Sequence, residues 1–228
     1  MSENVDEAFR ALLRGLRVPH AGELPVFDPA TAPDAPLPLF RRWLREAAEA
    51  GEPGPHTMTL ATAGADCRPS QRTVMLHDAD ERGWHFGTHR TSRKGRELTE
   101  RPYASLAFHW MRSGRQVRVS GRVREAGPEE SAADLRGRSP AALAAALAGS
   151  GRQSEVLGSY EELLRVFEAA YERAEREPDA TAPTWTLYVL DADEVEFYQE
   201  EALRRHVRVR YRRDPGERGG WRRELLWP

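Results

Sequence analysis

Residues 72–94 read RTVMLHDADERGWHFGTHRTSRK. An arginine opens an apolar strand over 72–77, a charged turn follows through Asp78, Asp80, Glu81, Arg82 and Gly83, and a second strand ends at Phe86, Gly87 and Thr88. A polar loop then carries Ser92, Arg93 and Lys94. Two strand ends and the loop behind them gather cations and hydroxyls in one small region, which makes a site for an anion, most simply a phosphate. Lys94 is the one lysine among 34 Lys plus Arg. Either position 94 requires a compact ammonium in place of a guanidinium, or a surface lysine stands there by chance.

The chain around this stretch has 228 residues, enough for a substantial core, and no composition shift divides it, so one domain with a loose N-terminal arm is expected. A net charge of −2 with 31% charged residues excludes a polyelectrolyte-binding composition. The single cysteine, Cys67, rules out an intrachain disulfide and fits a reducing compartment. No secretory apolar region or run of about 18 apolar residues is present, so a cytoplasmic protein is expected. Low complexity is confined to the alanine run 141–148. The seven histidines lack metal-ligand spacing, and His85 and His109 read as ordinary strand residues.

Residues 1–36 hold Pro19, Pro25, Pro29, Pro33 and Pro36 and little periodicity after Leu16, which predicts an extended or partly disordered arm. From Leu37, Phe40, Trp43, Leu44 and Ala47 make the apolar stripe of a helix that Gly51 and Pro53 end, covering a sheet. Strands are predicted over 57–62, 72–77, 84–88, 103–110 and 115–125. In the last of these Val117, Val119, Gly121 and Val123 alternate with Gln116, Arg118, Ser120, Arg122 and Arg124. Short turns between five strands predict an antiparallel meander closing towards a barrel. RKGRELTE, from Arg93 to Glu100, reads as a short helix with Arg93 and Lys94 at its start, where the helix dipole disfavours cations, so a bound anion explains them better.

Residues 128–148 are helical in tendency, with Pro128 and the Ser139-Pro140 pair suited to first turns. A second helix runs from Tyr160 to about Ala174; its stripe of Leu163, Leu164, Phe167, Ala170 and Tyr171 is assigned to the core. Strands resume over 185–190, 194–199, 206–212 and 220–227 and complete the barrel. On the third of these a period of two sets Arg204, His206, Arg208, Arg210 and Arg212 against Val207, Val209 and Tyr211. Such a file of arginines is either a solvated face or a binding surface.

These motifs, taken in order, resemble the pyridoxamine 5'-phosphate oxidase family of FMN-dependent split-barrel flavoproteins. RTVML at 72–76, FGTH at 86–89, SRKGREL at 92–98, GRQVRVSGRV at 114–123, RQSE at 152–155, VEFYQ at 195–199, RRHVRVRY at 204–211 and the terminal GGWRRELLWP carry the likeness, which spans 37–228. The resemblance implies an α+β, mainly β fold: an antiparallel split barrel with flanking helices, preceded by the arm at 1–36. It implies FMN contacts from Arg72, Thr73, Val74, Gly87, Thr88, Arg93, Lys94, Gln116, Gln153, Ser154, Tyr198 and Arg208, and a homodimer with FMN at its interface. Tyr198 replaces a tryptophan of the family pattern and retains a ring to lie against the flavin.

On the substrate side the likeness breaks. In the vitamin-producing members a strand-end lysine and a Tyr, Arg, Ser set on the central helix hold the substrate phosphate. Here those places fall on His77, Asp134, Arg138 and Ala142, so only the arginine is kept. The phenazine-biosynthesis branch is more similar: it has a like sequence at GTH 87–89 and GRQSE 151–155 and also lacks the strand-end lysine. The implied activity is an FMN oxidase of secondary metabolism. It would take a hydride from a small reduced heteroaromatic or amine substrate and return the electrons to O2 as H2O2. Arg204 and His206 are the candidate catalytic pair, orienting substrate and exchanging a proton, with His77 and Arg138 also facing substrate. Alternatives are a pyridoxamine or pyridoxine 5'-phosphate oxidase with a rebuilt phosphate pocket, a non-catalytic flavin or haem carrier, and a nucleic-acid binder using the C-terminal arginines. The net charge of −2 disfavours the last, and no membrane partner is expected.

Overall fold

Nine strands form one antiparallel sheet in the computed structural model, which describes residues 2–16, 24–214, 216 and 220–228. They are β1 (Thr57–Ala63), β2 (Pro69–Met75), β3 (Asp78–Asp80), β4 (Gly83–His89), β5 (Tyr103–Trp110), β6 (Arg115–Glu125), β7 (Trp185–Gln199), β8 (Val207–Arg213) and β9 (Trp221–Leu226). The order is β2-β1-β5-β6-β7-β4-β3, with β8 also on β7 and β9 on β8. β2 and β3 stand at opposite ends of this order, yet only Leu76 and His77 join them. Their N–H groups donate to His56 O and His85 O, both at 2.8 Å. A sheet whose two ends are linked by two residues has to roll up, because those residues span less than about 11 Å. The expected closure towards a barrel is realised, but the expected meander order is corrected, because β1 pairs with β5 as well as β2, and β4 pairs with β7.

β7 is the strand shared by both halves. Its beginning pairs with β4, Trp185 opposite His89, and its end pairs with β8, Gln199 opposite Val207. Two separate strands were expected here. A single 15-residue strand forms instead; its pairing with β6 shifts between Ser120 and Gly121, where Asp193 of β7 is the extra residue.

The alternation in β6 is realised as read, with Val117, Val119 and Val123 turned into the core. Helix α2, which follows an N-terminal helix α1 (Ser2–Gly15), runs over Pro36–Glu49 and buries Leu39, Phe40, Trp43 and Ala47. Phe40 meets Phe108 at 5.0 Å and Trp84 at 5.4 Å between ring centroids, both edge-on, and Trp43 meets Phe197 at 5.2 Å. Each such side chain contributes roughly 1.5–3 kcal/mol of burial free energy. The remaining helices are α3 (Arg93–Glu100), α4 (Pro128–Leu135), α5 (Pro140–Gly149) and α6 (Tyr160–Arg176). The helical 128–148 segment is thus two helices, broken where Gly137 takes φ +73°.

Two further expectations are corrected. The apolar stripe of α6 is not core: Ala170 and Ala174 pack inward, while Leu163, Leu164, Phe167 and Tyr171 stay 37–51% exposed. The arm is not simply extended. It contains α1, buries Phe27 edge-on against Trp43 at 5.1 Å, and is tied down where Tyr211 donates to Pro33 O at 2.8 Å. Prolines constrained its backbone without preventing an aromatic anchor; Pro19 lies outside the described residues. No helix among the described residues is long and apolar enough to cross a membrane.

Candidate functional site

The sequence-predicted residues fall into three groups. The first gathers where β2, β4 and the start of α3 meet. Ser92 caps α3, accepting from Gly95 N at 3.2 Å, and only a glycine fits at 95, since a Cβ there would lie 2.3 Å from Arg90 O. This close approach sets Arg93 and Lys94 beside the end of β4. Lys94 is 8% exposed and its Nζ donates to Thr88 Oγ1 at 3.2 Å and to Gln153 Oε1 at 3.3 Å. No carboxylate lies within ion-pair distance of it among the described residues. Burial, with the charge of Arg72 added, pushes the Lys94 ammonium down to about 8 despite the opposing pull of Glu97.

Arg72 and Arg93 are in a different state, because both are ion-paired to Glu97. Arg72 Nη2 is 3.4 Å and Arg93 Nε 2.9 Å from it. Thr62 and Ser70 donate to the same Glu97 oxygen at 2.5 and 2.6 Å. Burial alone would raise this carboxyl; the donors from Ser70, Thr62 and Arg93 override it and hold it at about 2. Arg93 N donates to Ser154 Oγ at 3.2 Å, bringing in Ser154, which sits at a non-glycine φ of +75°. Thr73 on β2 is exposed, and Val74 turns inward against the core.

In the second group, Gln116, Tyr198 and Arg208 stand in register across β6, β7 and β8. The His206 ring lies 5.2 Å from that of Tyr198, and His206 Nδ1 accepts from Glu201 N at 3.1 Å. Arg204 is exposed at φ +61° in the turn before β8. Arg208 donates to Glu196 at 2.8 Å and to Trp227 O at 2.8 Å, so part of its donor capacity is engaged.

No hydrogen bond, ion pair or ring contact joins these two groups among the described residues. Thr88 pairs with Thr186, and Tyr198 is 12 residues further along β7. At about 3.3 Å per residue that is roughly 40 Å measured along the strand.

The third group is the predicted substrate-phosphate place. His77 Nδ1 and Asp134 Oδ1 are 2.8 Å apart, Arg138 Nη2 reaches Asp134 Oδ2 at 3.0 Å, and Trp185 Nε1 donates to the same oxygen at 2.9 Å. Arg138 also lies over the Trp185 ring, 5.2 Å from its centroid. Burial raises the Asp134 carboxyl, but hydrogen bonds from His77 and Trp185 and the charge of Arg138 hold it below the usual carboxylate range. Gly87 floors this cluster; a Cβ there would strike Trp185 at 2.4 Å and His77 at 2.6 Å. The surviving arginine is thus neutralised within the chain.

Sequence reasoning missed Glu97, Thr62, Ser70 and Trp185. Glu97 was detectable as the i+4 partner of Arg93 in RKGRE, whereas Thr62 and Ser70 come together only through the β1–β2 register.

Fold and site define a split-barrel protein with a buried, carboxylate-free cation at a strand-to-helix junction. Residues 44–174 match the family model described as pyridoxamine 5'-phosphate oxidase, and 185–228 match that of the pyridoxine 5'-phosphate oxidase C-terminal dimerisation region. A pyridoxine/pyridoxamine 5'-phosphate oxidase of Burkholderia multivorans is 40% identical over 201 residues, covering 88% of this chain and 92% of its own. One from Paraburkholderia phymatum is 41% identical over 196 residues, covering 85% and 89%. Among solved structures, PhzG of Burkholderia lata in complex with tetrahydrophenazine-1-carboxylic acid aligns with a TM-score of 0.81 at 33% identity, over 91% of this chain and 100% of that one. An FMN-binding, pyridoxamine 5'-phosphate oxidase-related protein of Nostoc punctiforme shares the fold, with a TM-score of 0.65 at 18% identity over 83% and 97%. The chain belongs to the pyridoxamine 5'-phosphate oxidase family.

Proposed function

We propose that this protein is an FMN-dependent oxidase, working as a homodimer, whose substrate is a small reduced heteroaromatic acid of the dihydrophenazine type. The observation that carries the cofactor assignment is Lys94, a buried ammonium held only by neutral oxygens. A phosphate supplies the charge it lacks. Thr91 Oγ1, one residue before the α3 cap, is also buried with no partner among the described residues, and the α3 N-terminus with the Ser154 hydroxyl adds donors around the same point. These residues fit a phosphomonoester. The Gln116, Tyr198, Arg208 row of a second copy would then complete the site against the flavin ring, which accounts for the distance between the two groups and for the match of 185–228 to a dimerisation region.

FMN bound there would accept a hydride from the substrate and pass the electron pair to O2, giving H2O2. The chain's own groups position and protonate. Arg204, exposed beside the Tyr198 ring, offers a forked contact to a substrate carboxylate. His206 accepts a hydrogen bond at Nδ1 and so presents Nε2 as the atom that holds or exchanges a proton with the substrate ring. The His77, Asp134, Arg138 cluster disfavours a substrate phosphate, because Asp134 already satisfies Arg138 and adds negative charge. Tetrahydrophenazine-1-carboxylic acid in the PhzG complex carries a carboxylate of the kind that Arg204 would hold, which supports this reading.

The names of the 40%-identical relatives favour a second reading, oxidation of pyridoxine or pyridoxamine 5'-phosphate. The purified protein is expected to be yellow, to release FMN on denaturation, and to consume O2 with a dihydrophenazine carboxylate faster than with pyridoxine 5'-phosphate. Efficient formation of pyridoxal 5'-phosphate would establish the second reading instead. Protein that neither carries nor binds FMN would sink both.

A further inference from the structure

Two apolar surfaces of this chain lack a partner among the described residues. One is a groove of about 520 Å³ between α5, α6 and the 150–158 connection, lined by Ala145, Ala148, Val156, Leu163, Val166 and Phe167. The other is the face of α1 formed by Phe9, Leu12, Leu13 and Leu16, spaced i, i+3, i+4, i+7 and 52–64% exposed.

The position of the arm decides whose groove α1 fills. Leu24, where the described chain resumes, sits against Gly114 and Glu200; a Cβ on Gly114 would lie 3.0 Å from Leu24 Cδ2. Glu200 N donates to Gly114 O at 2.7 Å, which places Leu24 at the Gln199 end of β7. The groove is at the other end, where Ser150 Oγ lies 3.2 Å from the hydroxyl of Thr184, the residue before β7. About 46 Å of strand separates the two ends. Eight peptide steps from Leu16 to Leu24 reach at most about 29 Å, and the helix from Leu16 back to Phe9 adds about 10 Å. The arm is anchored at the wrong end of its own barrel.

A second copy resolves this. In the two-subunit site proposed above, on which this inference rests, the Gln116 and Tyr198 row of one protomer faces Lys94 and Gln153 of the other. Gln153 also lines the groove. The arm of one protomer therefore starts beside the groove of its partner. We propose that α1 of each protomer docks its Phe9, Leu12, Leu13 and Leu16 face into the α5–α6 groove of the other, an exchange repeated by the twofold axis. The docked helix abuts the loop carrying Gln153 and Ser154, so it fastens the two halves of the cofactor site together.

The test uses the full-length protein with Cys67→Ser, Leu12→Cys and Leu163→Cys, oxidised under mild conditions after its size in solution has been measured. Expected are a dimer, a covalent dimer on a non-reducing gel, and a cross-linked peptide joining positions 12 and 163. A dimer that forms no such link, or links 12 to 163 only within one chain, overturns the docking while leaving the shared cofactor site intact. A monomer overturns both. Hydrogen exchange on the unsubstituted protein gives an independent readout. A free 14-residue helix is marginal in water, so docking is expected to slow α1 amide exchange at least tenfold, and Phe167→Asp to abolish that protection with barrel amides unchanged. Unprotected α1 amides in the unsubstituted dimer overturn the proposal.

Discussion

Lys94 Nζ donates to Thr88 Oγ1 at 3.2 Å and to Gln153 Oε1 at 3.3 Å, while the nearby carboxylate, Glu97, is taken by Arg72 and Arg93. The buried ammonium is thereby left with charge to give. Its proton is held to about 8, below the ordinary 10.5. FMN affinity is expected to be flat between about pH 6.5, where the phosphate is a dianion, and pH 8, and to fall by up to about tenfold per unit above it, as the group that meets the phosphate discharges. The ligand-free protein has the opposite slope: below pH 8 the folded state bears the cost of a buried charge, and stability rises from about 8 to 10.5 as that charge is shed in the folded state first. Lys94→Gln should remove both dependences. FMN titrations and urea midpoints across this range measure them.

Glu97 contributes stability of the other sign. Its folded-state value of about 2 lies below the ordinary 4.5, so its contribution is complete above 4.5 and is lost as pH falls towards 2. Glu97→Gln leaves the largely buried Arg72 without its carboxylate and should cost roughly 3 kcal/mol. It should also flatten acid unfolding between pH 4.5 and 2. Urea denaturation at neutral pH and at pH 3 separates the two effects.

On the proposed function, Asp134 is the residue that excludes phosphorylated substrates. Asp134→Asn removes a negative charge and frees Arg138, and should tighten inhibition by pyridoxine 5'-phosphate about tenfold. The protein should lose roughly 1–3 kcal/mol, since His77 and Trp185 lose a charged acceptor. An unchanged inhibition constant would show that the cluster has no part in substrate choice.

Shared sites can be complemented. Lys94→Gln and Arg208→Ala proteins, each inactive, should recover about a quarter of wild-type activity when mixed and allowed to exchange subunits, because each mixed dimer holds one intact site. No recovery, in mixtures where mixed dimers are detected by mass, would mean that both residues serve one subunit's site.

Local pattern was enough for several features. The alternation of Val117, Val119 and Val123 set the buried face of β6, and the spacing of Phe40, Trp43 and Ala47 set that of α2. The cap and loop of Ser92, Arg93 and Lys94 formed where SRKGREL indicated. Other features depended on residues far apart in the chain. The engagement of Arg72 with Glu97 requires β2 to lie beside α3, and Asp134 reaches His77 across 57 positions. Nothing local distinguishes an α6 stripe that packs inward from one that waits for a partner, since both have the same period.

By itself the sequence determined which segments alternate, which turn, and that a lone lysine stands behind a strand end among hydroxyls, because these follow from side-chain period and backbone preference. Only the tertiary structure decided that Lys94 is a buried cation with no carboxylate in ion-pair distance among the described residues, that Arg138 is already neutralised, and that Thr186, opposite Thr88, and Tyr198 stand at opposite ends of β7. The reason is physical: charge balance and burial are sums over neighbours in space, and the neighbours are chosen by strand register and barrel closure.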